Sequence, residues 1–281
     1  MARRLIRIRV EYEGSEFCGW QRQTGQPSVQ EALENALTAV TGESEAITGA
    51  SRTDSGVHAL GQIATFRTES RIASSQLAQA LTYNLPESIC VRKSETVPDI
   101  FHPRKDAILK RYEYRFRSDF LRSPLLDRFW THLAYKVDVT PMHDAAQRLI
   151  GTHDFRGFAS KVGNYGDEFD FQRTISKIDL IRPNWDDPFG VGGFQVDTGK
   201  LTDDNRGWAG AWILRIEGDG FLHNMIRAIM GSLFLVGRGK EPPEYLDEIL
   251  QNGNRREAGP TAPPQGLCLM HVFYPPQFGD L

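Results

Sequence analysis

The apolar residues of this chain follow two periods, one typical of strands and one typical of helices, which alternate in a similar order in both halves. The run RLIRIRVEYEG alternates apolar and charged residues and predicts a half-buried strand. Ser28 and Glu31 form a capping-box pattern and open a predicted helix in SVQEALENAL. A strand near residues 45–49, a strand in GQIATFRT, a helix near 74–83 and a strand near 89–97 follow. The first half therefore has the order β-α-β-β-α-β.

The second half has a similar order of strands and helices, with additional inserted segments. Its first strand, KRYEYRFR, places aromatic residues on one side and charged residues on the other. One predicted helix begins at Thr140. Another covers HNMIRAIMGSLFLVGRGK and ends at Gly237. Predicted strands cover RTISKIDLI, AWILRIEG and GLCLMHVFY. Residues 183–210 are rich in glycine and aspartate and are interpreted as a loop insertion or an added hairpin.

These patterns predict an α+β fold of two halves, each with a ferredoxin-like arrangement of strands and helices. Each half is expected to have an antiparallel or mixed sheet with helices packed on one face. The predicted boundary lies near residues 98–106. It gives an N-terminal domain of residues 1–103 and a C-terminal domain of residues 104–281.

Composition and motif spacing exclude several classes of protein. The chain of 281 residues contains no apolar run near the ~20 residues that a membrane helix needs. Its three cysteines form no CxxC pair, which is typical of a cytoplasmic protein without disulfides. The seven histidines form no HxH or HxxxH pair, and the glycine clusters at 190–195 and 237–240 do not fit nucleotide-binding loops. We therefore expect any chemistry to depend on side chains, without a metal or cofactor.

The net charge of −3 conceals a basic stretch. Residues 104–128 hold eight lysines and arginines against four acidic residues. A chain that is acidic on average can still present a positive surface to phosphates, but such a stretch can equally be a solvated face. The charge pattern alone does not decide between these interpretations.

The segment SRTDSGVH, residues 51–58, combines an arginine, an aspartate and a histidine with a glycine that predicts a sharp bend. Asp54 is interpreted either as a turn residue or as a carboxylate with a chemical role. Arg227 lies beside the apolar stripe of a predicted helix, where it is either paired or extended to solvent. Tyr112 lies on a basic strand and is either a core tyrosine or a side chain that stacks on a base.

The same segment belongs to a longer run that resembles a known signature. GASRTDSGVHALGQ is similar to the RTDxGVHAxxQ motif of the TruA family of tRNA pseudouridine synthases. Other blocks of the family are matched in order by YEGSEFCGWQRQ with SVQEALENAL, FHPRKDAILKRYEY, GTHDFRGFAS, RTISKIDL, GDGFLHNMIRAIMGSLFLVGRG and APPQGLCLMHVFY. The resemblance runs from about Arg7 to Tyr274 and covers nearly the whole chain.

The resemblance implies the pseudouridine synthase fold, with an active-site cleft between the two halves. It also implies an isomerase that converts uridine to pseudouridine in the anticodon stem-loop of tRNA, at positions 38, 39 and 40. By similarity, Asp54 matches the catalytic aspartate and Tyr112 matches the tyrosine that stacks on the target uracil. Arg227 matches the arginine that pairs with the carboxylate, and Arg52 the arginine that helps to hold the nucleotide out of its stack. Members of the family act as homodimers and need no metal or cofactor.

An RNA substrate also requires contacts to phosphate groups. We expect these contacts from five basic residues, each of which could instead be a solvated charge at a strand edge. They are Arg22, Lys110, Arg111, Arg115 and Arg117. The chain departs from the family pattern at Ser51, where glycine is usual, and at Ser55 and Pro103, where alanine is usual. The long 183–210 segment is a further departure, and it affects the expected substrate range more than the chemistry.

Two other functions stay open at this point. The chain could be a non-catalytic RNA-binding module of the same fold, although Asp54, Tyr112 and Arg227 are all present. It could also be a hydrolase that uses an aspartate nucleophile on a small molecule. Such an enzyme needs an acid for the leaving group, and His58 is the nearby candidate.

Overall fold

The structure, a computed structural model, describes residues 3–160, 166, 168–183, 210–279 and 281. It divides the chain into two compact units. Unit 1 comprises Met1–Arg111 and Cys268–Leu281, and unit 2 comprises Tyr112–Leu267. Apart from its two end residues, the predicted insertion at 183–210 lies outside the described residues, as does the glycine cluster at 190–195.

The described residues form ten strands and five α-helices, which confirms the predicted α+β class. The strands are β1 (Arg4–Tyr12), β2 (Thr48–Gly49), β3 (His58–Thr68), β4 (Ile89–Val97), β5 (Leu109–Ser118), β6 (Thr131–Leu133), β7 (Gly151–Asp154), β8 (Gln172–Ile181), β9 (Ala211–Gly218) and β10 (Leu267–Phe273). The helices are α1 (Val29–Thr41), α2 (Ser74–Tyr83), α3 (Val139–Gln147), α4 (Met225–Gly237) and α5 (Tyr245–Asn252).

The sheet of unit 1 has the strand order β4–β1–β3–β10, and β2 pairs with β3 at its side. β1 is antiparallel to both β3 and β4, whereas β10 is parallel to β3. The predicted alternation of β1 is confirmed on one face, where Ile6, Ile8 and Val10 are completely buried. The C-terminal strand therefore completes a sheet that the N-terminal strands begin.

The other face of β1 differs from the prediction, because Arg7 is only 1% exposed. Its Nε donates to Glu95 Oε1 at 2.8 Å, and its other nitrogens donate to the carbonyls of Phe278 and Gly279 at 2.8 and 3.2 Å. Its guanidinium also lies 5.2 Å from the ring centre of Phe101. A buried charge needs such compensation, and here the returning C-terminal tail provides part of it.

α1 begins where its sequence predicts. Ser28 is the N-cap, and its Oγ accepts the Glu31 backbone N–H at 3.3 Å. The helix ends at Gly42, whose φ of 75° is the left-handed conformation that glycine adopts without strain. Leu33 and Leu37 on the apolar face are completely buried. Packing of this face fixes the chain segment that precedes the helix.

The sheet of unit 2 has the order β5–β9–β8–β7, and β6 is parallel to β5. β8 is antiparallel to both β7 and β9. Tyr114 and Phe116 on one face of β5 meet Phe234 of α4 edge-on, with ring centres 6.2 and 5.3 Å apart. Such edge-on contacts add to the burial of apolar area. α4 is thereby fixed against the strand that carries the predicted aromatic residues.

A close backbone contact fixes α4 on a second side. A Cβ atom at Gly231 would overlap the carbonyl oxygen of Pro260, so only glycine fits at this position of the helix. The next residue, Ser232, is completely buried, and its Oγ accepts the backbone N–H of Gly259 at 2.9 Å. The 259–260 segment therefore lies directly against α4, whose first turn carries Arg227.

Most predicted elements are confirmed, and α2 and β4 have the predicted bounds. β6 and β7 were not predicted, because strands of three and four residues are too short to show a period. α5 was also missed. The two units divide at residues 111 and 112, whereas the sequence placed the boundary near 98–106. Residues 98–106 stay with unit 1, where Tyr274 Oη donates to the Pro103 carbonyl at 2.6 Å.

We predict that Gly231→Ala destabilises the protein, although alanine is the better helix former by about 1 kcal/mol. The added methyl group must separate α4 from the 259–260 backbone, and overpacking of this kind costs about 1–3 kcal/mol or more. Urea unfolding followed by circular dichroism measures the change. Gly237→Ala in the same helix is the control, because its methyl group meets chiefly the Met142 side chain, which is flexible, and lies 3.1 Å from the Val137 Cβ rather than against backbone. Equal losses for both variants would contradict the proposed backbone contact.

Candidate active site

The segment around Asp54 is a loop of unit 1 that connects β2 to β3. The backbone N–H of Val57 donates to the Asp54 carbonyl at 3.2 Å, which closes a tight turn. Gly56 in this turn has a φ of 76°, so the predicted sharp bend is confirmed. Arg52 and Ser55 are exposed, while Asp54 is partly buried. The loop thus presents an arginine and a carboxylate at the surface of unit 1.

Two glycines bring a second segment into direct backbone contact with this loop. A Cβ atom at Gly14 would overlap the carbonyl oxygen of Val57, and one at Gly19 would lie 2.5 Å from the carbonyl oxygen of Thr53. Gly19 also has a φ of 95°, a conformation that side chains disfavour. The Trp20 backbone N–H donates to the same Thr53 carbonyl at 3.1 Å. These contacts hold the peptide groups on both sides of the loop tip.

Side chains of β1 and β3 also hold the same loop. Gln62 on β3 is completely buried, and its amide both accepts from the Ser51 N–H at 3.1 Å and donates to the Ser51 carbonyl at 2.7 Å. Tyr12 Oη lies 2.7 Å from Thr53 Oγ1. Arg52 is therefore flanked by two residues that are each hydrogen-bonded to a strand. Sequence reasoning did not identify Gln62 or Tyr12, although both lie within the quoted blocks.

His58 is a structural residue at the end of the same loop. It is 4% exposed, and its Nδ1 accepts the backbone N–H of Gly14 at 3.0 Å. Nδ1 therefore carries no proton in this arrangement. Glu13 Oε1 lies 3.7 Å from the same nitrogen. The ring anchors the segment that packs on the loop, which does not suit it to protonate a leaving group.

Tyr112 and Arg227 belong to unit 2, whereas Arg52 and Asp54 belong to unit 1. Tyr112 lies on β5, is 5% exposed and meets Phe221 edge-on at 5.2 Å between ring centres. Phe221 lies in the short segment that leads into α4, and Arg227 lies in the first turn of that helix. Within unit 2 the structure thus connects both predicted residues to the start of α4.

Arg227 is held in a defined orientation. Its Nε donates to the Ala262 carbonyl at 2.7 Å, and its Nη1 donates to Asn224 Oδ1 at 2.8 Å. Asn224 has a φ of 60° and is the one non-glycine residue with positive φ among the described residues. Such strain persists where the surroundings require it, often at functional sites. Of the two interpretations left open, the structure favours a partly buried, hydrogen-bonded arginine.

The basic side of β5 is buried rather than solvated. Glu113 is completely buried, and its Oε1 accepts from Arg215 Nε and Nη2 at 3.0 and 2.9 Å. Arg115, 5% exposed, lies 3.5 Å from the other oxygen of Glu113. Arg117, 3% exposed, pairs with Asp119 and, at 2.7 Å, with Asp127. These charges are compensated within unit 2, which disfavours Arg115 and Arg117 as phosphate contacts.

The other three expected phosphate contacts belong to unit 1. Lys110 is 8% exposed. Arg111 is partly exposed, and its guanidinium lies 5.1 Å from the ring centre of Phe273. Arg22 is exposed and lies 3.3 Å from a carboxylate oxygen of Glu31 and 3.2 Å from one of Glu34. Exposed pairs of this kind are weak and can exchange one partner for another.

Among the described residues, no group of three or more His, Cys, Asp or Glu side chains could hold a metal ion. Nor does any helix in the described part of the chain have the length and apolar character required to cross a membrane.

Comparison with known proteins identifies the family to which this chain is similar. The family model described as tRNA pseudouridine synthase matches residues 8–104 and 145–275. The chain is 38% identical over 274 residues to tRNA pseudouridine synthase A of Blochmanniella pennsylvanica (strain BPEN), covering 97% of this chain and 94% of that protein. It is also 38% identical to the proteins of the same name from Geobacter sp. (strain M21) and Thermoanaerobacter sp. (strain X514). These matches cover 97% and 96% of this chain, and 99% and 100% of the relatives.

We predict that Tyr114, which lies near Arg227, makes the protein sensitive to alkaline pH. Burial raises its pKa, while the hydrogen bond with Thr131 and the charge of Arg227 lower it, and burial dominates. A tyrosine whose pKa is higher in the folded state than in the unfolded state stabilises the fold. This stabilisation is complete below the unfolded-state pKa of about 10 and is lost as the pH rises above it. The free energy of unfolding of Tyr114→Phe should therefore fall less steeply above pH ~10 than that of the wild type.

Near neutral pH the same variant should lose about 1–2 kcal/mol, because the Pro263 carbonyl, which accepts from Tyr114 Oη at 2.8 Å, loses its donor. Tyr83→Phe is the control, since Tyr83 is 90% exposed. Urea unfolding at pH 8 and at pH 10.5–11 measures both effects. Parallel pH curves for wild type and Tyr114→Phe would refute this assignment.

Proposed function

Because the chain belongs to the tRNA pseudouridine synthase family, we propose that it isomerises uridine to pseudouridine in the anticodon stem-loop of tRNA, with Asp54 as its catalytic carboxylate. The target uridines are those at positions 38, 39 and 40. The observation that carries this assignment is the loop geometry. Asp54 lies at the tip of a turn whose neighbouring peptide groups are held by Gly14, Gly19 and Gln62.

The reaction breaks the N-glycosidic bond between N1 of uracil and C1′ of the ribose. The detached base turns and rejoins the same C1′ through C5, after which the proton on C5 is lost to solvent and N1 gains one. The base must first leave the helical stack, at a cost of a few kcal/mol. We assign Arg52, which is exposed beside Asp54, to hold the target nucleotide in this extruded position.

Asp54 acts as a nucleophile or base in its carboxylate form. A partly buried carboxylate stays ionised at neutral pH when an arginine is nearby, since the positive charge favours the charged form. We assign this role to Arg227, whose guanidinium is oriented by Asn224 and Ala262. A planar guanidinium held at two of its nitrogens is more suitable for stabilising a carboxylate than the mobile ammonium group of a lysine. The scheme requires only protein side chains.

Tyr112 is assigned to stack on the detached uracil, because stacking does not depend on which edge of the base faces the sugar. Phe221 supports the ring of Tyr112 edge-on within unit 2 and so limits its rotation. For phosphate contacts we retain Arg111 and Arg22, which are at least partly exposed, and Lys110 as a further candidate. We also infer that the protein acts as a homodimer in the cytoplasm, where tRNA is processed.

The first test uses unmodified tRNA that carries tritium at C5 of its uridines. Wild-type protein should release tritium to solvent, and Asp54→Asn should reduce the rate by about a thousandfold or more, because an amide replaces the reacting carboxylate at nearly equal volume. Ser55→Ala is the control. Its exposed hydroxyl donates to the Phe17 carbonyl at 3.2 Å, and the variant should stay within a few-fold of wild type. Tight tRNA binding without any release by the wild type would instead indicate a binding module.

A second test separates the synthase from a hydrolase that uses His58 as an acid. His58→Ala removes the acceptor of the Gly14 N–H, so the free energy of unfolding should fall by about 1–3 kcal/mol. Tritium release per folded molecule should change by less than about tenfold at 25 °C, because the ring has no chemical role in this scheme. A loss of several orders of magnitude in a folded variant, with His58→Gln equally inactive, would overturn the assignment.

A further inference from the structure

The segment of residues 254–263 follows α5 and is joined to α4 at several points within unit 2. Gly259 donates its backbone N–H to Ser232 Oγ at 2.9 Å. Further along, Ala262 donates its N–H to the Arg227 carbonyl at 3.0 Å and accepts from Arg227 Nε at 2.7 Å. The 254–263 segment therefore follows α4 from its middle to its first turn, and the end of the segment helps to orient the guanidinium of Arg227.

The backbone of this segment offers few hydrogen-bond donors. Pro260 and Pro263 carry no N–H group, and Pro264 follows directly. In the described structure, residues 254–263 belong to no helix or strand. Because such a stretch does not form a regular backbone ladder with its neighbours, its carbonyl groups depend on side chains for hydrogen bonds.

Arg255 provides two such hydrogen bonds within the segment. Its Nη1 donates to the Gly259 carbonyl at 3.1 Å, and its Nη2 donates to Thr261 Oγ1 at 2.8 Å. Gly259 is buried and contacts the middle of α4, whereas Thr261 immediately precedes Ala262. One guanidinium thus holds the segment between its contact with the middle of α4 and its contact with the first turn.

The environment of Arg255 is unfavourable for a positive charge. Its Nε is buried without a hydrogen-bond partner among the described residues, and its guanidinium forms no ion pair with the carboxylates of that part of the chain. Burial lowers the pKa of Arg255, and the nearby Tyr245 raises it by a smaller amount. A charge in this position costs free energy. A guanidinium nevertheless suits the site, because its planar fork presents two donors that reach two acceptors at once.

We propose that Arg255 is a positioning residue for the reaction, because it fixes the 254–263 segment and thereby the guanidinium of Arg227. This inference rests on the proposed function, in which Arg227 keeps Asp54 in its carboxylate form. The stabilisation of a carboxylate by a guanidinium depends on the distance and the angle between them. A misplacement of about 1 Å that originates far from the chemistry can reduce a rate by about a hundredfold. In this scheme Arg255 contacts neither the substrate nor the reacting atoms.

The first experiment compares Arg255→Ala with Arg256→Ala. Both variants remove one positive charge from the same segment, but the Arg256 side chain is exposed and forms no hydrogen bond or ion pair among the described residues. Tritium release from tRNA gives kcat and KM per folded molecule. Arg255→Ala should reduce kcat by about ten- to a hundredfold and change KM by less than about threefold, because the substrate contacts remain. Arg256→Ala should stay within about twofold of wild type in both constants.

Two milder changes keep the inference testable if Arg255→Ala does not fold. Arg255→Lys keeps the charge but reaches only one of the two acceptors, so kcat should lie between those of wild type and Arg255→Ala. Thr261→Val removes the hydroxyl that accepts from Arg255 and should reduce kcat by about fivefold, the equivalent of one hydrogen bond. Thr261→Ser is its control, because it retains the hydroxyl.

A double-mutant cycle separates positioning from a general loss of stability. If Arg255 acts through Arg227, then Arg255→Ala should have little further effect on kcat in a protein that already carries Arg227→Lys, because the oriented guanidinium is absent. Independent losses from the two changes would overturn the inference, as would equal kcat values for Arg255→Ala and Arg256→Ala. A raised KM with a smaller dependence of tRNA binding on salt would also overturn it, since that result indicates a phosphate contact.

A measurement that does not depend on activity distinguishes failure of this inference from failure of the proposed function. In protein labelled with ¹⁵N-arginine, the Nε–H group of Arg227 gives a signal that Arg227→Lys removes. Its exchange with water should be at least about tenfold faster in Arg255→Ala than in wild type or Arg256→Ala, because the bond to Ala262 opens more often. Unchanged exchange would overturn the inference. Absence of tritium release by the wild type would contradict the proposed function, whereas the exchange rates would still show whether Arg255 fixes Arg227.

Discussion

The arrangement of unit 1 depends on the space available at Gly14 and Gly19. A hydrogen atom fits at both positions and a methyl group does not, so the backbone that follows β1 lies directly against the loop of Asp54. Loops usually adapt to their ligands, but this one is fixed by peptide groups on one side and by the buried Gln62 on the other. A fixed carboxylate does not have to be ordered during the reaction, which is a recognised source of rate enhancement.

Burial and pairing determine which arginines and lysines remain available to contact RNA phosphates. Arg7 is compensated by Glu95 and backbone carbonyls, and Arg117 by Asp119 and Asp127. Such arginines contribute little positive potential at the surface, because each lies beside a carboxylate. Counting lysines and arginines over a stretch of sequence therefore overestimates the surface that phosphates can reach. The basic stretch at 104–128 contains both kinds of residue, and only burial and pairing distinguish Arg104 from Arg117.

The periods of apolar residues were sufficient to predict most strands and helices, because packing of one apolar face dominates in elements such as α1. The periods did not predict β6, which is too short to show one. Nor did they predict that both faces of β1 are buried around Arg7. Resemblance singled out Asp54 and Arg227 as candidate site residues, since the local motif is distinctive. The resemblance could not indicate that Asn224 orients Arg227, or that His58 accepts from the Gly14 N–H. These contacts depend on backbone geometry, which the order of residue types does not show.

The charges near the loop must satisfy two requirements that conflict. A carboxylate is kept ionised by a nearby cation, but a cation that pairs with a carboxylate is less available to a phosphate. Separate arginines resolve the conflict. In the proposed scheme, Arg227 stabilises the carboxylate form of Asp54, whereas Arg52, which has no carboxylate partner among the described residues, holds the target nucleotide.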